Sequence, residues 1–305
     1  MMSQLPEISV VIATLNREEP LCNTLRYFLE IETYPAFEVI VIDQSDRHLE
    51  PTREFLARSA AKIRYVSTDY KGLPKARNHG VRLAKGEIIV FVDDDVEPTP
   101  GFLHAHACCY ADPGVVGVAG AVLERDQSLT PRLGIDEREY LNLVQQRNMR
   151  FDVDFSFPAQ WAVGCNMSFR RAVLVDLGGF DEVFQRAPIG DDAEFSARAR
   201  KKGKICYSPD ARLVHLSVPS GGCRDAVSRR EYLGQVAFCV NYFWYRVEAR
   251  FWRRCLMVWR AFRSNVLNRN ELRAGSLLQS ALGFAGGLWK SSVHIRGMSR
   301  LARHK

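Results

Sequence analysis

Short apolar runs alternate with amphipathic stretches through the first 130 residues, which predicts a parallel sheet joined by crossover helices. Most of these runs are continuously apolar, which is typical of strands that helices cover on both faces. The predicted strands span residues 8–13, 37–42, 62–66, 87–92 and 115–122, and the predicted helices span residues 19–30, 51–60 and 74–84. We therefore expect an α/β fold with a Rossmann-like, mostly parallel sheet flanked by helices.

The pattern changes twice further along the chain. Between residues 125 and 159 it becomes polar and irregular, with one predicted helix near 136–146. A second ordered block then contains residues 164–174, a predicted helix at 191–202 and two predicted short strands at 204–207 and 212–215. Past Gly222 the sequence is helical in pattern, aromatic and rich in arginine.

Charge is distributed unevenly along the chain. The formal net charge is +7, yet residues 224–305 contain sixteen Lys and Arg against four Asp and Glu, a local charge of +12. Residues 1–223 therefore carry −5. A basic end on an otherwise acidic chain predicts contact with an anionic partner, either lipid headgroups or nucleic acid.

Composition narrows the class of protein. A hydrophobic content of 47% excludes a disordered or collagen-like chain. The eight cysteines include an adjacent pair but no CxxC spacing, which predicts a reducing compartment and thiols that are mostly buried. The first residues lack the basic start and apolar core of a secretory signal, so we expect a cytoplasmic protein.

Three consecutive carboxylates, Asp93, Asp94 and Asp95, follow the fourth predicted strand directly. Carboxylates at the end of a buried strand are costly unless a cation compensates them. Mg²⁺ and Mn²⁺ prefer oxygen ligands, and in such sites they commonly hold phosphate oxygens as well. The cluster therefore indicates either a site for a metal and a nucleotide diphosphate or a solvated turn that caps the next helix.

Two further segments bear on this choice. Asp43 ends the second predicted strand, where its carboxylate suits a base or ribose but also suits a turn cap. Residues 71–80 supply a glycine, a helix start and the cations Lys71, Lys75 and Arg77, which suit an anionic ligand or a solvated helix face.

A second acidic cluster lies at the start of the helix predicted at 191–202. Asp191, Asp192 and Glu194 complement the helix dipole there, which is sufficient reason for their presence. With one cluster holding a metal, the other could supply a general base. His215, at the end of a short apolar run, is either a structural residue or a further metal ligand.

These segments together resemble the family 2 glycosyltransferases, an inverting group with the GT-A fold. The resemblance spans residues 8–215 and includes a DxD-like metal motif. One departure is Asp191, where the family usually has glutamate. The matching segments are residues 8–17 (ISVVIATLNR), 41–46 (VIDQSD), 72–80 (GLPKARNHG), 91–95 (FVDDD), 164–171 (GCNMSFRR), 178–182 (GGFDE), 190–192 (GDD) and 209–215 (PDARLVH).

The resemblance implies a divalent metal, Mn²⁺ or Mg²⁺, a nucleotide-sugar donor and a glycan or lipid-linked acceptor. It implies a catalytic domain over residues 1–223, with a nucleotide-binding half at 1–122 and an acceptor and metal half at 123–223. Position by position, it implies that Asp43 and Arg77 hold the base or neighbouring groups and that Thr14 lines the same pocket. Asp93 and Asp94 would bind the donor. Asp95 would bind the metal with help from His215, and Asp192 would be the catalytic base.

The basic region, residues 224–305, predicts a membrane-associated extension. Apolar positions from 243 to 262 fall at helical spacing among arginines, which is typical of an interfacial helix. Residues 274–289 carry no charge but fall short of the ~20 residues that a spanning helix needs. We expect a peripheral protein on the inner face of an anionic membrane, unless these helices only pack on the catalytic domain.

Three other functions compete with this interpretation. A nucleotidyltransferase also needs carboxylates, metal and nucleotide. A nucleic-acid-binding protein would explain the basic end but neither acidic cluster, so we expect no nucleic-acid partner. A catalytically inactive sugar-nucleotide binder would not need both Asp95 and Asp192.

Overall fold

The computed structural model describes residues 5–131, 150–184, 190–218, 221–222, 229–247, 255–256, 258–259 and 274–301. The helix predicted at 136–146 lies outside these residues. So does most of the segment from 248 to 273, which contains much of the amphipathic helix predicted from 243 to 262.

One mixed sheet organises the described residues, with strand order β3-β2-β1-β4-β8-β6-β9-β5 and β7 also paired to β9. The first four strands are mutually parallel, β8 is antiparallel to β4 and β6, and β6 is parallel to β9. The strands are β1 (Ile8–Thr14), β2 (Phe37–Asp43), β3 (Arg64–Ser67), β4 (Ile88–Val92), β5 (Val96–Pro98), β6 (Val115–Leu123), β7 (Phe157–Pro158), β8 (Asn166–Arg170) and β9 (Lys204–His215).

All five strands predicted in the first part of the chain are confirmed, the third beginning at Arg64 rather than residue 62. The prediction of two short strands at 204–207 and 212–215 is wrong, because both belong to β9. The pairing of β9 with β6 shifts register between Gly120 and Ala121, opposite the segment that contains Pro209. A proline has no N–H for the ladder, so a bulge lets one strand continue past it.

Helices cover both faces of the sheet. The predicted helix at 19–30 ends at Arg26 and continues as a π-helical turn, Tyr27–Ile31. The predicted helix at 191–202 ends at Ala199. The helices are α1 (Glu19–Arg26), α2 (Glu50–Ser59), α3 (Leu73–Leu83), α4 (Phe102–Cys109), α5 (Arg171–Asp176), α6 (Asp191–Ala199), α7 (Arg229–Val247) and α8 (Ala274–Leu301).

Neighbouring residues of the central strands enter two different cores. In β1, Val11 packs with α3, α5 and α6, whereas Val10 and Ile12 pack with α1, α2 and α4. The same alternation holds along β4, where Phe91 and Val90 face opposite cores. Because both faces are covered, β4 is apolar throughout and β1 carries a single polar residue, Ser9, before Thr14 at its end.

The prediction that the cysteines are mostly buried is wrong for the seven that the structure describes. Three are buried, two are partly buried, and Cys108 and Cys255 are exposed. Cys108 and Cys109 are consecutive at the end of α4, and consecutive helical positions cannot both face one core. All seven are free thiols, as the lack of a disulfide spacing predicted.

The two C-terminal helices, α7 and α8, run parallel and in close contact. A Cβ added to Gly287 would overlap the carbonyl oxygen of Gly234, so glycine is needed at this crossing. Further along, the Asn241 amide donates to Ser291 Oγ at 2.8 Å. Among the described helices, none is long and apolar enough to cross a membrane.

A buried histidine links α4 to β8. The imidazole of His106 is fully buried, with Nε2 3.1 Å from the Asn166 side-chain oxygen and Nδ1 2.9 Å from Ser168 Oγ. The Tyr110 hydroxyl lies 2.8 Å from the same Ser168 oxygen. Burial lowers the pKa of His106 to about 4, so the ring is neutral at physiological pH.

We expect His106→Gln to flatten the pH dependence of the free energy of unfolding between about pH 6.5 and 4. The unfolded chain protonates this ring near its ordinary pKa of 6.5, whereas the folded protein resists protonation until about 4. The stabilisation is therefore present above pH 6.5 and lost as the pH falls, by roughly 3 kcal/mol in total. Urea denaturation across this pH range measures the slope.

His104→Gln, at an exposed position of the same helix, provides the control for the loss of a histidine from α4. Equal slopes for the wild type and His106→Gln would contradict the assignment of a neutral, buried ring.

Candidate active site

Carboxylates of both acidic clusters, Asp93–Asp95 and Asp191–Asp192, line one cavity of about 410 Å³ at the carboxyl edge of the parallel strands. Thr14 ends β1 and Asp93 follows β4, and these strands are adjacent and parallel. Since β8 is antiparallel to β4, the start of β8 lies at the same edge and brings Gly164 there. His215 arrives at the end of β9, paired with β5.

The three consecutive aspartates have different surroundings. The Asp93 side chain is 34% exposed, whereas Asp94 and Asp95 are almost completely buried. Asp94 accepts a hydrogen bond from Thr14 Oγ1 at 2.6 Å and lies 3.3 Å from Arg17 Nε. Burial raises the pKa of Asp94 to about 7, although the Thr14 hydrogen bond and the Arg17 charge oppose this shift.

Asp95 contacts a guanidinium, a backbone N–H and an imidazole. One carboxylate oxygen accepts from Arg17 at 3.1 Å and from the Val218 N–H at 3.0 Å, and the other lies 3.3 Å from His215 Nε2. Burial alone would raise the pKa of Asp95, but the hydrogen bond and charge of His215, with Arg17 and Val218, bring it below its ordinary value. Asp95 is therefore ionised at neutral pH.

Asp93, Asp95 and His215 form a set that fits a divalent metal. Each offers one ligand atom, and these atoms all lie within 4.8 Å of one another. His215 Nε2 lies 3.7 Å from Asp93 in addition to its contact with Asp95. Two carboxylate oxygens and one imidazole nitrogen are ligand atoms that Mn²⁺ accepts.

Arg77 connects the two acidic clusters. Its guanidinium is buried and donates to Asp191 at 2.6 Å and to the Gly164 carbonyl at 3.0 Å. It also lies 3.7 Å from Asp93. A Cβ on residue 164 would press against this guanidinium, which explains the glycine.

Asp192 lines the same cavity with a carboxylate that is positioned by the backbone. It accepts from the Gly164 N–H at 2.9 Å and from the Ala193 N–H at 2.7 Å. Loss of solvent and the neighbouring charge of Asp191 raise the pKa of Asp192 to about 7, against the opposing effect of Arg77. A carboxylate with this pKa can accept a proton near neutral pH.

Asp43 is the one proposed site residue that does not line the cavity described here. It is buried, and its carboxylate accepts from the Ser45 N–H, from the Tyr65 hydroxyl at 2.7 Å and from the His48 ring. The next residue, Gln44, does line the cavity and accepts from the Gly72 N–H at 2.6 Å. The role of Asp43 in holding the base stays a prediction.

Sequence reasoning gave no role to Arg17, the cation that pairs with Asp94 and Asp95. The residue lies in the first matching motif, but its partners follow about eighty positions later, beyond any local pattern. Two non-glycine residues with positive φ, Asn16 and Ser217, flank the cavity. Unusual backbone at such positions is typical of functional sites.

The C-terminal helices contact the second acidic cluster. Glu194 is fully buried beside Asp191 and Asp192 on α6, and it accepts from Arg198 and, at 3.3 Å, from Arg246 of α7. The Tyr242 hydroxyl of α7 donates to Asp181 at 2.8 Å. α7 is therefore attached to the segment that carries Asp192.

Comparison with known proteins gives a family match and several relatives. The sequence model described as Glycosyl transferase family 2 matches residues 9–178. A glucosyl-dolichyl phosphate glucuronosyltransferase of Haloferax volcanii is 24% identical over 179 residues, 57% of this chain and 56% of that protein. Hyaluronan synthase of Pasteurella multocida is 27% identical over 247 residues, 70% of this chain and 25% of that protein. The chain thus spans less than two thirds of either relative.

Solved structures share the fold. A mannosyltransferase from Pyrobaculum calidifontis, in complex with GDP-Man and Mn²⁺, has a TM-score of 0.57 at 20% identity. The alignment covers 99% of this chain and 82% of that chain. This likeness confirms the predicted GT-A architecture, a mostly parallel sheet flanked by helices.

We expect Arg17→Met to destabilise the protein by ~3 kcal/mol at pH 8, because it leaves two buried carboxylates without their cation. Adding Asp94→Asn should recover part of this loss, since an amide needs no counter-charge. Chemical denaturation of both variants and of Asp94→Asn alone gives the coupling free energy.

Arg53→Met removes an exposed pair with Glu50 and should cost less than ~1 kcal/mol. A loss no larger for Arg17→Met than for this control would show that Arg17 does not stabilise the acidic cluster.

Proposed function

The chain belongs to family 2 of the glycosyl transferases, and from this membership we propose that it transfers a sugar, with inversion, from a nucleoside-diphosphate sugar to a hydroxyl group. The acceptor in this proposal is a glycan or a lipid-linked molecule of cell-surface polysaccharide or glycolipid synthesis. The observation that carries the proposal is the meeting, in one cavity, of the Asp93, Asp95 and His215 set with Asp192.

The names of similar proteins support the substrate classes. The Pyrobaculum neighbour was solved with GDP-Man and Mn²⁺, and a GalNAc-T7 structure with UDP, GalNAc and Mn²⁺ has a TM-score of 0.59 to this chain. The Haloferax relative is named for a glucosyl-dolichyl phosphate substrate, a lipid-linked acceptor. These parallels favour a nucleotide sugar, a divalent metal and a lipid-linked acceptor for this chain.

Donor binding would use the cations and hydroxyls of the cavity wall. Arg17 and Arg77 both line the cavity and provide positive charge for a diphosphate. Thr14 and Asp94 are hydrogen-bonded to each other at the end of β1 and border the same space. Asp93, the most solvent-exposed of the three consecutive aspartates, would meet the ribose in this proposal.

Asp95 and His215, with Asp93, would hold the metal. A divalent ion bound there would supply positive charge to the diphosphate leaving group as negative charge develops on it. The described contacts of Asp95 with Arg17 and Val218 keep its carboxylate ionised and oriented toward His215.

Asp192 would act as the general base. An acceptor hydroxyl is a weak nucleophile at neutral pH, and a carboxylate with a pKa of about 7 can take its proton during attack on the anomeric carbon. The Gly164 and Ala193 N–H groups fix the orientation of this carboxylate. A single displacement from the face opposite the leaving group inverts the anomeric configuration.

A peripheral location on the inner face of a cell membrane is part of the same proposal. What supports it is the net charge of +12 carried by residues 224–305, which complements anionic lipid. The helix α7 of this region also packs on the catalytic domain through Arg246 and Tyr242, and α8 packs on α7.

We expect Asp95→Asn to remove most of the Mn²⁺ dependence of donor binding, because the amide lacks the charge that holds the ion. Affinity for UDP in the presence of Mn²⁺ should fall at least tenfold, about 1.4 kcal/mol. Calorimetric titration of UDP with and without Mn²⁺ makes the measurement.

The matched control is Asp176→Asn on α5, where an exposed carboxylate pairs with Lys202. Full metal dependence in Asp95→Asn would show that Asp95 is not a ligand.

We expect Asp192→Asn to reduce sugar transfer by ~10²–10⁴-fold while changing donor affinity little, because the amide keeps the shape but cannot take a proton. In the wild type, transfer should increase as the pH rises through about 7, since only the deprotonated carboxylate acts as base. Both the loss of transfer and its pH dependence are tested with a panel of nucleotide sugars. Transfer or slow donor hydrolysis is assayed over about three pH units around neutrality.

Asp191→Asn provides the contrast, since Asp191 holds Arg77 and its loss should weaken donor binding. Near-normal transfer by Asp192→Asn would eliminate the proposed base. Release of pyrophosphate instead of a nucleoside diphosphate would identify a nucleotidyltransferase.

A further inference from the structure

The helix α8 presents two opposite faces. Gly283, Phe284, Gly287 and Ser291 are buried, and contacts at Gly283, Gly287 and Ser291 join this face to α7. At 3.6 residues per turn, the positions 282, 289 and 293 fall within an arc of about 40° on the opposite side. The orientation of α8 is thus fixed by its packing, which leaves a defined outward face.

That outward face is apolar. Leu282 is 50% exposed, Trp289 68% and Val293 50%. A Cβ added to Gly286, on the same side, would meet nothing within 4 Å. These large apolar side chains are exposed together in a row about 16 Å long. On the surface of an ordinary soluble protein, exposed apolar side chains are scattered singly.

Exposed apolar side chains are concentrated in this part of the molecule. The described residues include ten large hydrophobic side chains that are strongly exposed, and five of them lie between residues 256 and 293. Leu256 and Trp259 are the other two, at 45% and 55%. The catalytic domain, with many more described residues, has the same number spread over its surface.

We propose that the outward face of α8, marked by Leu282, Trp289 and Val293, is the surface that inserts into the headgroup region of an anionic membrane. This identifies the contact surface for the membrane named in the proposed function and rests on that function for its biological role. The partner follows from charge complementarity, because the region is basic as well as apolar, with a net charge of +12 over residues 224–305 and an exposed Lys290 beside Trp289.

The chemistry of Leu282, Trp289 and Val293 suits the headgroup region of a membrane. Leucine and valine favour the acyl boundary, and tryptophan favours the interface, where its ring is apolar and its N–H remains solvated. None of the described helices is long and apolar enough to cross a membrane. The packing of the opposite face on α7 leaves these three side chains free to enter the interface.

The test uses the full chain and vesicles of phosphatidylglycerol and phosphatidylcholine at low salt. The triple variant Leu282→Gln, Trp289→Gln, Val293→Thr should bind at least about tenfold more weakly in co-sedimentation. The control is Ile31→Gln, Leu49→Gln, Val175→Thr, which removes side chains that are 52%, 65% and 60% exposed on the catalytic domain. The control should bind as the wild type does.

A spectroscopic measurement separates insertion from a loss of folding. Fluorescence quenching by brominated lipid should fall in Trp289→Phe while its vesicle binding is retained. Thermal stabilisation by UDP with Mn²⁺ should be the same for the triple variant and the wild type. If UDP with Mn²⁺ does not stabilise even the wild type, that result would count against the proposed function and not against the membrane surface.

Three results would overturn the proposal. The first is a triple variant that binds anionic vesicles as tightly as its control. The second is equal binding of the wild type to vesicles of phosphatidylcholine alone, which would remove the anionic partner. The third is light scattering that shows the wild type as a dimer and the triple variant as a monomer. This face would then be a contact between two copies of the chain.

Discussion

Negative charge buried at one edge of a sheet is the constraint on which the rest of this structure depends. Asp94, Asp95 and Asp191 are almost completely removed from solvent, and two more carboxylates border the same cavity. Desolvated carboxylates are costly unless cations and hydrogen-bond donors compensate them. Arg17 compensates the first cluster and Arg77 the second, so each cluster depends on a cation from a distant segment of the chain.

The same constraint gives carboxylates of the two clusters different protonation behaviour. Asp95 is kept ionised by Arg17, His215 and the backbone, which suits a ligand for a metal. Asp192 has a pKa of about 7 because it lies next to Asp191 and away from solvent, which suits a group that takes up a proton. Burial is common to both, and the placement of compensating cations decides which carboxylate can do which chemistry.

The C-terminal helices contact this site through a further buried carboxylate, Glu194. Glu194 lies in the same first turn of α6 as Asp192, and Arg246 of α7 contacts Glu194. α7 in turn packs against α8 at a glycine crossing that fixes the orientation of α8. The surface proposed to meet the membrane is therefore connected to the cavity through α7 and α6.

The sequence by itself determined five strands of the first half, the strand end at which Asp93, Asp94 and Asp95 lie and, through the order of its motifs, the family. Those features are local: an apolar run marks a doubly covered strand, and residues that follow parallel strands meet at one edge. The tertiary structure alone decided that Arg17 pairs with Asp94 and Asp95, that Asp43 is enclosed by His48 and Tyr65, and that Cys108 is exposed. It also joined two predicted strands into β9. The physical reason is that ion pairs, exposure and strand continuity depend on contacts between segments far apart in the chain, and no local periodicity records them.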